Sequence, residues 1–257
     1  MIRALFGPDR TVLLPYLTAG LPTSGASPEL FAAMADAGAD GFEIGIPYSD
    51  PLMDGPVIQR ASSQALAAGT DLSRALDVTG RVVERTGVPT LAMTYANVVF
   101  RLGPDVFCSR LAQAGAAGLI VPDVPVEEAS PLLEATRRHG LGLVLFAAPT
   151  SSDERIRSVA AADPAFIYGV AEMGVTGERA TSSGRAAELS RRVKAITDIP
   201  LVLGVGISTP EQAAAAGEVA DGVIVGTALV RRVLEAGSTQ EAAKSLHDAV
   251  RDLKAAL

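Results

Sequence analysis

Three carboxylates lie close together in the first quarter of the sequence and could perform acid–base chemistry. Glu43 stands inside an apolar run, residues 42–46, and Asp50 and Asp54 follow in a segment broken by prolines and glycines. Burying a carboxylate among apolar side chains costs free energy unless a partner satisfies the group or its pKa rises. Glu43 is therefore either an acid–base catalyst or half of a structural ion pair, and the residue pattern leaves both interpretations open.

Asp54 also has two interpretations. The segment after the apolar run is long enough to fold Asp54 back over Glu43, which would form a pair of carboxylates. Asp54 also precedes Gly55-Pro56, and an aspartate in that position often caps a helix or forms a turn. The spacing alone does not choose between a catalytic pair and a turn residue.

Other common catalytic groups are poorly placed in this sequence. Carbon–carbon cleavage by a Schiff base needs a lysine, and metal catalysis needs imidazoles or clustered carboxylates. The lysines and histidines all fall in predicted helices: Lys194, Lys244, Lys254, His139 and His247. Cys108 also lies in a predicted helix, where packing is the expected role. This elimination favours acid–base chemistry by carboxylates without a metal or cofactor, assisted by tyrosines such as Tyr168.

Short β-branched runs alternate with alanine-rich helical patterns along the whole chain. Strands are predicted near residues 11–16, 41–46, 90–93, 118–121, 141–146, 166–170, 200–204 and 222–226. Helices are predicted near residues 28–37, 57–67, 72–86, 104–114, 126–139, 153–161, 185–196, 209–216 and 239–257, and another opens after residue 226. The strands are continuously apolar, which is typical of a parallel sheet buried on both faces.

Eight strand–helix units in 257 residues predict a single-domain α/β fold, a (β/α)8 TIM barrel over residues 1–257. Its active site would lie at the C-terminal ends of the strands. A doubly wound open sheet is the rival fold, but no Gly-x-Gly-x-x-Gly motif follows the first strand.

Glycine-rich segments end the last two predicted strands. They are residues 204–208 (GVGIS) and 226–228 (GTA). Backbone N–H groups and the dipole at a helix N-terminus can bind an anion, and barrels often bind phosphate after strands 7 and 8. The glycines favour a phosphate site, although they could serve only to make tight turns.

The segment 172–184 is long, polar and rich in glycine, and it follows the sixth predicted strand. These features are typical of a mobile lid over an active site, and equally of an ordinary surface loop.

Composition restricts the setting and the partners. The net charge is −7, without a basic stripe that would favour nucleic acid. The longest apolar stretch, residues 141–149, is far shorter than the roughly 20 residues of a membrane span. The amino terminus does not resemble a signal peptide. The single Cys108 fits a reducing, cytoplasmic location.

The motifs taken together resemble the α subunit of tryptophan synthase over nearly the whole chain. The segments that carry the resemblance are residues 15–20 (PYLTAG), 42–59 (FEIGIPYSDPLMDGPVIQ), 95–97 (YAN), 122–128 (PDVPVEE), 174–177 (GVTG), 204–212 (GVGISTPEQ) and 226–228 (GTA). The resemblance implies retro-aldol cleavage of indole-3-glycerol phosphate to indole and glyceraldehyde 3-phosphate.

The resemblance also implies roles for individual residues. Glu43 matches the general acid–base residue, and Asp54 matches the carboxylate that engages the indole N–H. The implied substrate-binding residues are Tyr168, Thr176, Phe166 and Tyr95. The implied phosphate-binding residues are Gly177, Gly206, Gly226 and Thr227.

Partners follow from the same resemblance. The family pairs with a β subunit that holds pyridoxal phosphate, in an α2β2 complex, whereas the α chain itself needs no cofactor or metal. Asp50, Asn97 and Pro125 match loops that face this partner. A stand-alone lyase that releases free indole is an alternative. A catalytically weak paralogue that activates a β subunit is another, although intact Glu43, Asp54 and Thr176 argue against it.

This sequence departs from the family pattern at several positions. Phe166 replaces a frequent tyrosine and is expected to line the indole pocket. Thr227 stands in place of a serine, and Glu172 is expected to begin the lid with an added negative charge. The short amino-terminal segment predicts a barrel bottom that is less fully plugged.

Overall fold

The computed structural model describes residues 2–8, 10–172 and 179–257. Eight parallel strands form a closed barrel in chain order, and β8 returns to pair with β1. The strands are β1 (Val12–Thr18), β2 (Phe42–Gly45), β3 (Thr90–Met93), β4 (Gly118–Ile120), β5 (Gly142–Ala147), β6 (Ile167–Glu172), β7 (Leu201–Val205) and β8 (Gly222–Val225). The prediction of a (β/α)8 barrel is confirmed.

The described part of the chain holds eleven α-helices. They are α1 (Ser27–Asp36), α2 (Pro56–Ala67), α3 (Leu72–Thr86), α4 (Ala96–Leu102), α5 (Pro104–Gln113), α6 (Ser130–Arg138), α7 (Asp153–Ala161), α8 (Arg179–Lys194), α9 (Pro210–Gly217), α10 (Thr227–Glu235) and α11 (Thr239–Ala255). Short 3₁₀ helices cover Ile2–Leu5 and Val126–Glu128.

The apolar strands form the core because both of their faces are covered. Every residue of β1, β2 and β8 is buried. One face points into the barrel and the other packs under the helices, which explains the continuous apolar runs. In the β1–β2 register Tyr16 pairs with Glu43, so these two polar side chains are brought together inside the wall.

The amino-terminal 3₁₀ helix closes the bottom of the barrel. Ile2 is buried in the core, and Leu5 and Phe6 pack against it. The Phe6 and Phe166 rings lie 5.8 Å apart between centroids. The short amino-terminal segment therefore fills the bottom of the barrel. That this bottom is less fully plugged than in the family pattern stays a prediction.

Phe166 is consequently not a substrate-binding residue. It precedes β6 at the amino end of the barrel, is fully buried and contacts Phe6. Side chains two apart on a strand share a face, so Phe166 has the orientation of Tyr168 but lies one layer lower. The prediction that Phe166 lines the indole pocket is correct about the face of β6 on which the ring lies. It is wrong about the level of the ring, which lies near the amino end of the barrel.

Asp40 links the first strand of the barrel, β1, to the last helix, α11. Its carboxylate accepts hydrogen bonds from Lys254 Nζ of α11 at 2.7 Å and from the Leu13 backbone N–H of β1 at 2.8 Å. Arg10 forms a further ion pair with it. Burial raises the pKa of Asp40, but the hydrogen bonds from Lys254, Leu13 and Arg10 outweigh it and hold that pKa below its usual value.

Candidate active site

A cavity of about 810 Å³ opens at the carboxyl ends of the strands. Glu43 and Asp54 lie on one side of it, and Gly206, Gly226 and Thr227 lie on another. Apolar side chains between them include Ile120, Phe146, Val170, Ile207 and Ile224. The cavity thus combines a carboxylate pair, an apolar wall and a glycine-rich edge in one space.

Glu43 has no compensating partner in the described part of the chain. Its side chain is 2% exposed, and its Oε2 atom makes no hydrogen bond there. Burial, and secondly the nearby charge of Asp54, raise the pKa of Glu43 to about 8. A structural carboxylate would be expected to have a cation or several donors. The ion-pair interpretation of Glu43 therefore loses its support.

Asp54 lies in the loop between β2 and α2 and faces the same cavity. Helix α2 begins at Pro56 with Gly55 as its N-cap, and no side chain caps it. Asp54 is therefore not a helix cap. Burial raises the pKa of Asp54 to about 6, against the opposing effect of a hydrogen bond from Tyr95.

Tyr95 lies behind Asp54 and does not line the cavity. Its side chain is 4% exposed, and its hydroxyl oxygen accepts a hydrogen bond from the Met53 backbone N–H at 3.2 Å. Its ring stacks on Tyr48 with a centroid distance of 5.4 Å. The ring supports the loop that carries Asp54, and the binding of substrate by Tyr95 itself stays a prediction.

Two tyrosines share the cavity with Glu43: Tyr16 on the adjacent strand β1 and Tyr168 on β6, across the barrel. Tyr16 and Tyr168 line the cavity, and burial is the main cause that raises the pKa of each phenol. The Tyr168 ring stacks on Phe146 with 5.1 Å between centroids. Sequence reasoning missed Tyr16, although a phenol in an otherwise apolar strand was a usable signal.

Two glycines make room for these hydroxyl groups. A Cβ atom on Gly45 would collide with the Tyr16 hydroxyl, and one on Gly204 would collide with the Tyr168 hydroxyl. Tyr168 Oη also donates a weak hydrogen bond to the Gly204 carbonyl at 3.5 Å. Each glycine therefore leaves the space that a tyrosine hydroxyl from the adjacent strand occupies.

The glycine-rich edge is built from the ends of β7 and β8. Gly206 has φ +77°, a left-handed conformation that favours glycine. Gly226 has φ −115° and is the N-cap of α10. The backbone N–H groups in the first turn of α10 lack acceptors within the helix. Gly206, Gly226 and Thr227 all line the cavity, as the phosphate prediction requires.

Comparisons with known proteins identify the family. The family model described as tryptophan synthase alpha chain matches residues 3–257. The chain belongs to this family. It is accordingly a carbon–carbon lyase of tryptophan biosynthesis, and the comparisons do not favour a stand-alone lyase or a weak paralogue.

Individual relatives agree with the family model. The tryptophan synthase alpha chain of Streptomyces coelicolor is 44% identical over 227 residues, which are 88% of this chain and 84% of the relative. That of Methanosarcina mazei is 46% identical over 246 residues, which are 95% of this chain and 88% of the relative.

Solved structures of the family have the same fold. A crystal structure of tryptophan synthase from M. tuberculosis, in an aminoacrylate- and BRD0059-bound form, matches with a TM-score of 0.86 and 38% identity. The match covers 96% of this chain and 92% of that one. Tryptophan synthase subunit alpha from Legionella pneumophila matches with a TM-score of 0.87 and 33% identity, over 96% and 92% of the two chains.

The residues expected to face a partner lie near the cavity mouth. Asp50 and Pro125 are exposed on loops. Asn97 is exposed in the first turn of α4, so its placement in a loop was wrong, and its Nδ2 donates to Tyr48 Oη at 3.0 Å. Leu52 is 87% exposed beside Asp50. The next residue, Met53, is 62% exposed, and contiguous exposed apolar residues of this kind are a feature of protein–protein contact surfaces.

The structure describes only part of the predicted lid, residues 172 and 179–184. Thr176 and Gly177 lie outside the described residues. Glu172 is the last residue of β6 and pairs with Val205, so it ends a strand and does not begin a loop. Helix α8 begins at Arg179, earlier than the predicted residue 185.

Within residues 2–8, 10–172 and 179–257, no group of three or more His, Cys, Asp or Glu side chains is arranged to hold a metal ion. In the same residues, no helix is both long enough and apolar enough to cross a membrane.

Proposed function

We propose that Glu43 and Asp54 together carry out the cleavage of indole-3-glycerol phosphate to indole and glyceraldehyde 3-phosphate. The observation that carries the proposal is the buried Glu43, whose pKa is raised to about 8 beside an Asp54 with a pKa of about 6. At neutral pH this difference leaves Glu43 mostly protonated and Asp54 mostly ionised. Two neighbouring groups with separated pKa values can act as acid and base.

The chemistry balances with these two groups. Glu43 donates its proton to C3 of the indole, and the ring becomes positively charged. Asp54 accepts a hydrogen bond from the indole N–H and stabilises that charge. The Glu43 carboxylate then removes the proton of the hydroxyl on the carbon attached to C3. The bond between these carbons breaks, its electrons restore the indole, and the aldehyde leaves.

The remaining walls are suited to the two ends of the substrate. The apolar side chains and Tyr168 form a pocket of the right chemistry for an indole ring. Gly206, Gly226 and Thr227 offer backbone N–H groups and a hydroxyl for the phosphate, assisted by the dipole of α10. Thr176 and Gly177 are proposed to complete the closed site from the lid.

The α chain works with a tryptophan synthase β subunit, which holds the pyridoxal phosphate, whereas we assign no cofactor to this chain. We propose an α2β2 complex in which Asp50, Asn97 and Pro125 face the partner. Their exposure, and the exposed Leu52 beside them, support this surface. We also propose one domain over residues 1–257 and a cytoplasmic location, which suits the reduced Cys108.

Indole formation from indole-3-glycerol phosphate by the purified chain, with and without the β subunit, tests this function. We expect slow turnover alone and faster turnover in the complex. Robust turnover alone that the β subunit does not change would indicate a stand-alone lyase. Absence of indole in both conditions would contradict the proposed activity.

Substitution of Glu43 tests the mechanism. Glu43→Gln keeps the shape but cannot exchange a proton, so we expect indole formation to fall about 10²- to 10⁴-fold. Glycerol 3-phosphate should still bind the variant in calorimetry. Glu84→Gln removes a carboxylate from the exposed face of α3 and should leave both measurements unchanged. Loss of binding with Glu43→Gln would show that Glu43 is structural.

A further inference from the structure

Two arginines lie on the cavity wall within the described part of the chain, and they differ in their partners. Arg155 is held by Glu127, whose two carboxylate oxygens accept hydrogen bonds from Nη1 and Nη2 at 2.9 Å each. Arg231 makes no ion pair or hydrogen bond with any described residue. The charge of Arg155 is therefore neutralised within the protein, and that of Arg231 is not.

Arg231 is positioned to act on the glycine-rich edge. It lies four residues after Thr227 in α10, so both side chains share one face of the helix. A helical side chain leans toward the amino end of its own helix. Arg231, Gly226 and Thr227 all line the cavity, and this lean is expected to bring the guanidinium group of Arg231 toward the first turn of α10.

A positive charge near the first turn of α10 would favour the binding of a phosphate in this cavity. The acidic residues Asp54 and Asp123 line the cavity beside a neutral Glu43, and the chain has a net charge of −7. A phosphate dianion entering this space meets a negative potential, which lowers its local concentration. The helix dipole supplies only about half a charge at the N-terminus. Of the two arginines on the described cavity wall, Arg231 is the one whose positive charge is not paired with a carboxylate.

We propose that Arg231 attracts the substrate phosphate to the cavity and contributes to binding it at the first turn of α10. The proposal rests on the proposed function, since it names a specificity residue for the same phosphate. A guanidinium group forms two parallel hydrogen bonds with phosphate, which adds direction to the attraction. Arg231 is a binding residue in this scheme and takes no part in proton transfer.

Arg231→Gln tests the proposal in the full chain with its β subunit. We expect the KM for indole-3-glycerol phosphate to rise about tenfold, because a hydrogen bond to a charged group is lost, while kcat stays within about twofold. The decline of kcat/KM with added salt should become shallower. With indole-3-glycerol, which lacks the phosphate, the variant and the unmodified chain should behave alike.

Two neighbouring arginines provide matched controls. Arg60 is exposed on α2 and borders a groove with Arg231 without lining the cavity. Arg232 follows Arg231 directly but donates to Ser245 Oγ of α11 at 3.1 Å. Arg60→Gln and Arg232→Gln remove the same charge and should leave KM and the salt dependence unchanged. Arg231→Lys keeps the charge and should recover most of the salt dependence.

The possible outcomes distinguish a failure of the role proposed for Arg231 from a failure of the proposed lyase function. If the unmodified chain forms no indole, the proposed function fails. If it forms indole and Arg231→Gln leaves KM and the salt dependence unchanged, only the role of Arg231 is wrong. An equal loss with the substrate that lacks phosphate would show a structural effect and would also overturn it. Circular dichroism of each variant checks that the fold is kept.

Discussion

The phenol of Tyr95 donates a hydrogen bond to the Asp54 carboxylate from behind the cavity wall, while its oxygen accepts the Met53 N–H at 3.2 Å. Tyr95 thus fixes both the backbone and the side chain of the loop that carries the second carboxylate. The ring is held in turn by stacking on Tyr48. Asp54 is thus oriented by a residue that does not itself line the cavity.

We expect Tyr95→Phe to impair catalysis through Asp54. The hydrogen bond lowers the pKa of Asp54, so its removal should raise that pKa and shift the acid limb of the rate profile upward. A hydrogen bond worth about 1 kcal/mol corresponds to somewhat less than one pH unit. The pH dependence of kcat/KM measures the shift. Tyr48→Phe removes a hydroxyl whose one hydrogen bond to a described residue is with Asn97, and it should leave the acid limb in place.

The activity should have a bell-shaped pH profile. Asp54 must be ionised, so the rate should fall as the pH drops below about 6. Glu43 must be protonated to donate to indole C3, so the rate should fall as the pH rises above about 8. The two groups interact, and each limb therefore reports on the pair. A rate that is level from pH 5 to 9 would contradict this assignment.

Gly204→Ala should disturb the site through Tyr168. The added methyl group would collide with the Tyr168 hydroxyl, and relief of the collision must move a ring that faces Glu43. Overpacking of this kind costs about 1–3 kcal/mol, so both the melting temperature and kcat should fall. Gly184→Ala in α8 meets no atom within 4 Å. It should keep the activity and leave the stability unchanged or slightly higher.

Asp40→Asn should weaken the fold without affecting the chemistry. The substitution removes the charge that Lys254 and Arg10 face, and we expect a loss of about 2 kcal/mol in the free energy of unfolding at pH 7. Because the folded-state pKa of Asp40 is lowered, its contribution is present above the unfolded value of about 4 and disappears as the pH falls through the folded value.

Denaturant unfolding at pH 7 and at pH 3 measures this effect. The difference between the unmodified chain and Asp40→Asn should shrink at the lower pH. Asp36→Asn, at the exposed end of α1, provides the control and should change the unfolding free energy little at either pH. An equal deficit at both values would mean that the charge of Asp40 is not the stabilising feature.

The barrel was predictable because its strands are buried on both faces, which makes them continuously apolar and easy to delimit. Helix α4 was missed because seven residues bounded by Gly103-Pro104 give too little periodicity to distinguish a helix from a loop. The alternation of residues along a strand indicates which face a side chain lies on, but not how far it lies from the cavity. This explains the error at Phe166. The position of Tyr95 behind Asp54 was not predictable, because the motif gives proximity to Asp54 but not the side from which the ring approaches.

The charges on helix faces were the least predictable part of the site. Arg231 appears in the sequence beside Arg232 as part of an ordinary solvated helix. Only the closed barrel brings one of them to the cavity and turns the other toward α11. Such a distinction depends on how α10 packs, which is a property of the tertiary fold.

The unpaired Oε2 atom of Glu43 has a consequence for inhibitor design. A ligand that places a hydrogen-bonding group against this atom would satisfy a buried polar atom that forms no hydrogen bond with any described residue. The neutral carboxyl group expected at pH 7 can both donate and accept, so a primary amide or a lactam would complement it better than a cation. Planar compounds that combine such an edge with an apolar ring are therefore the scaffolds to screen first.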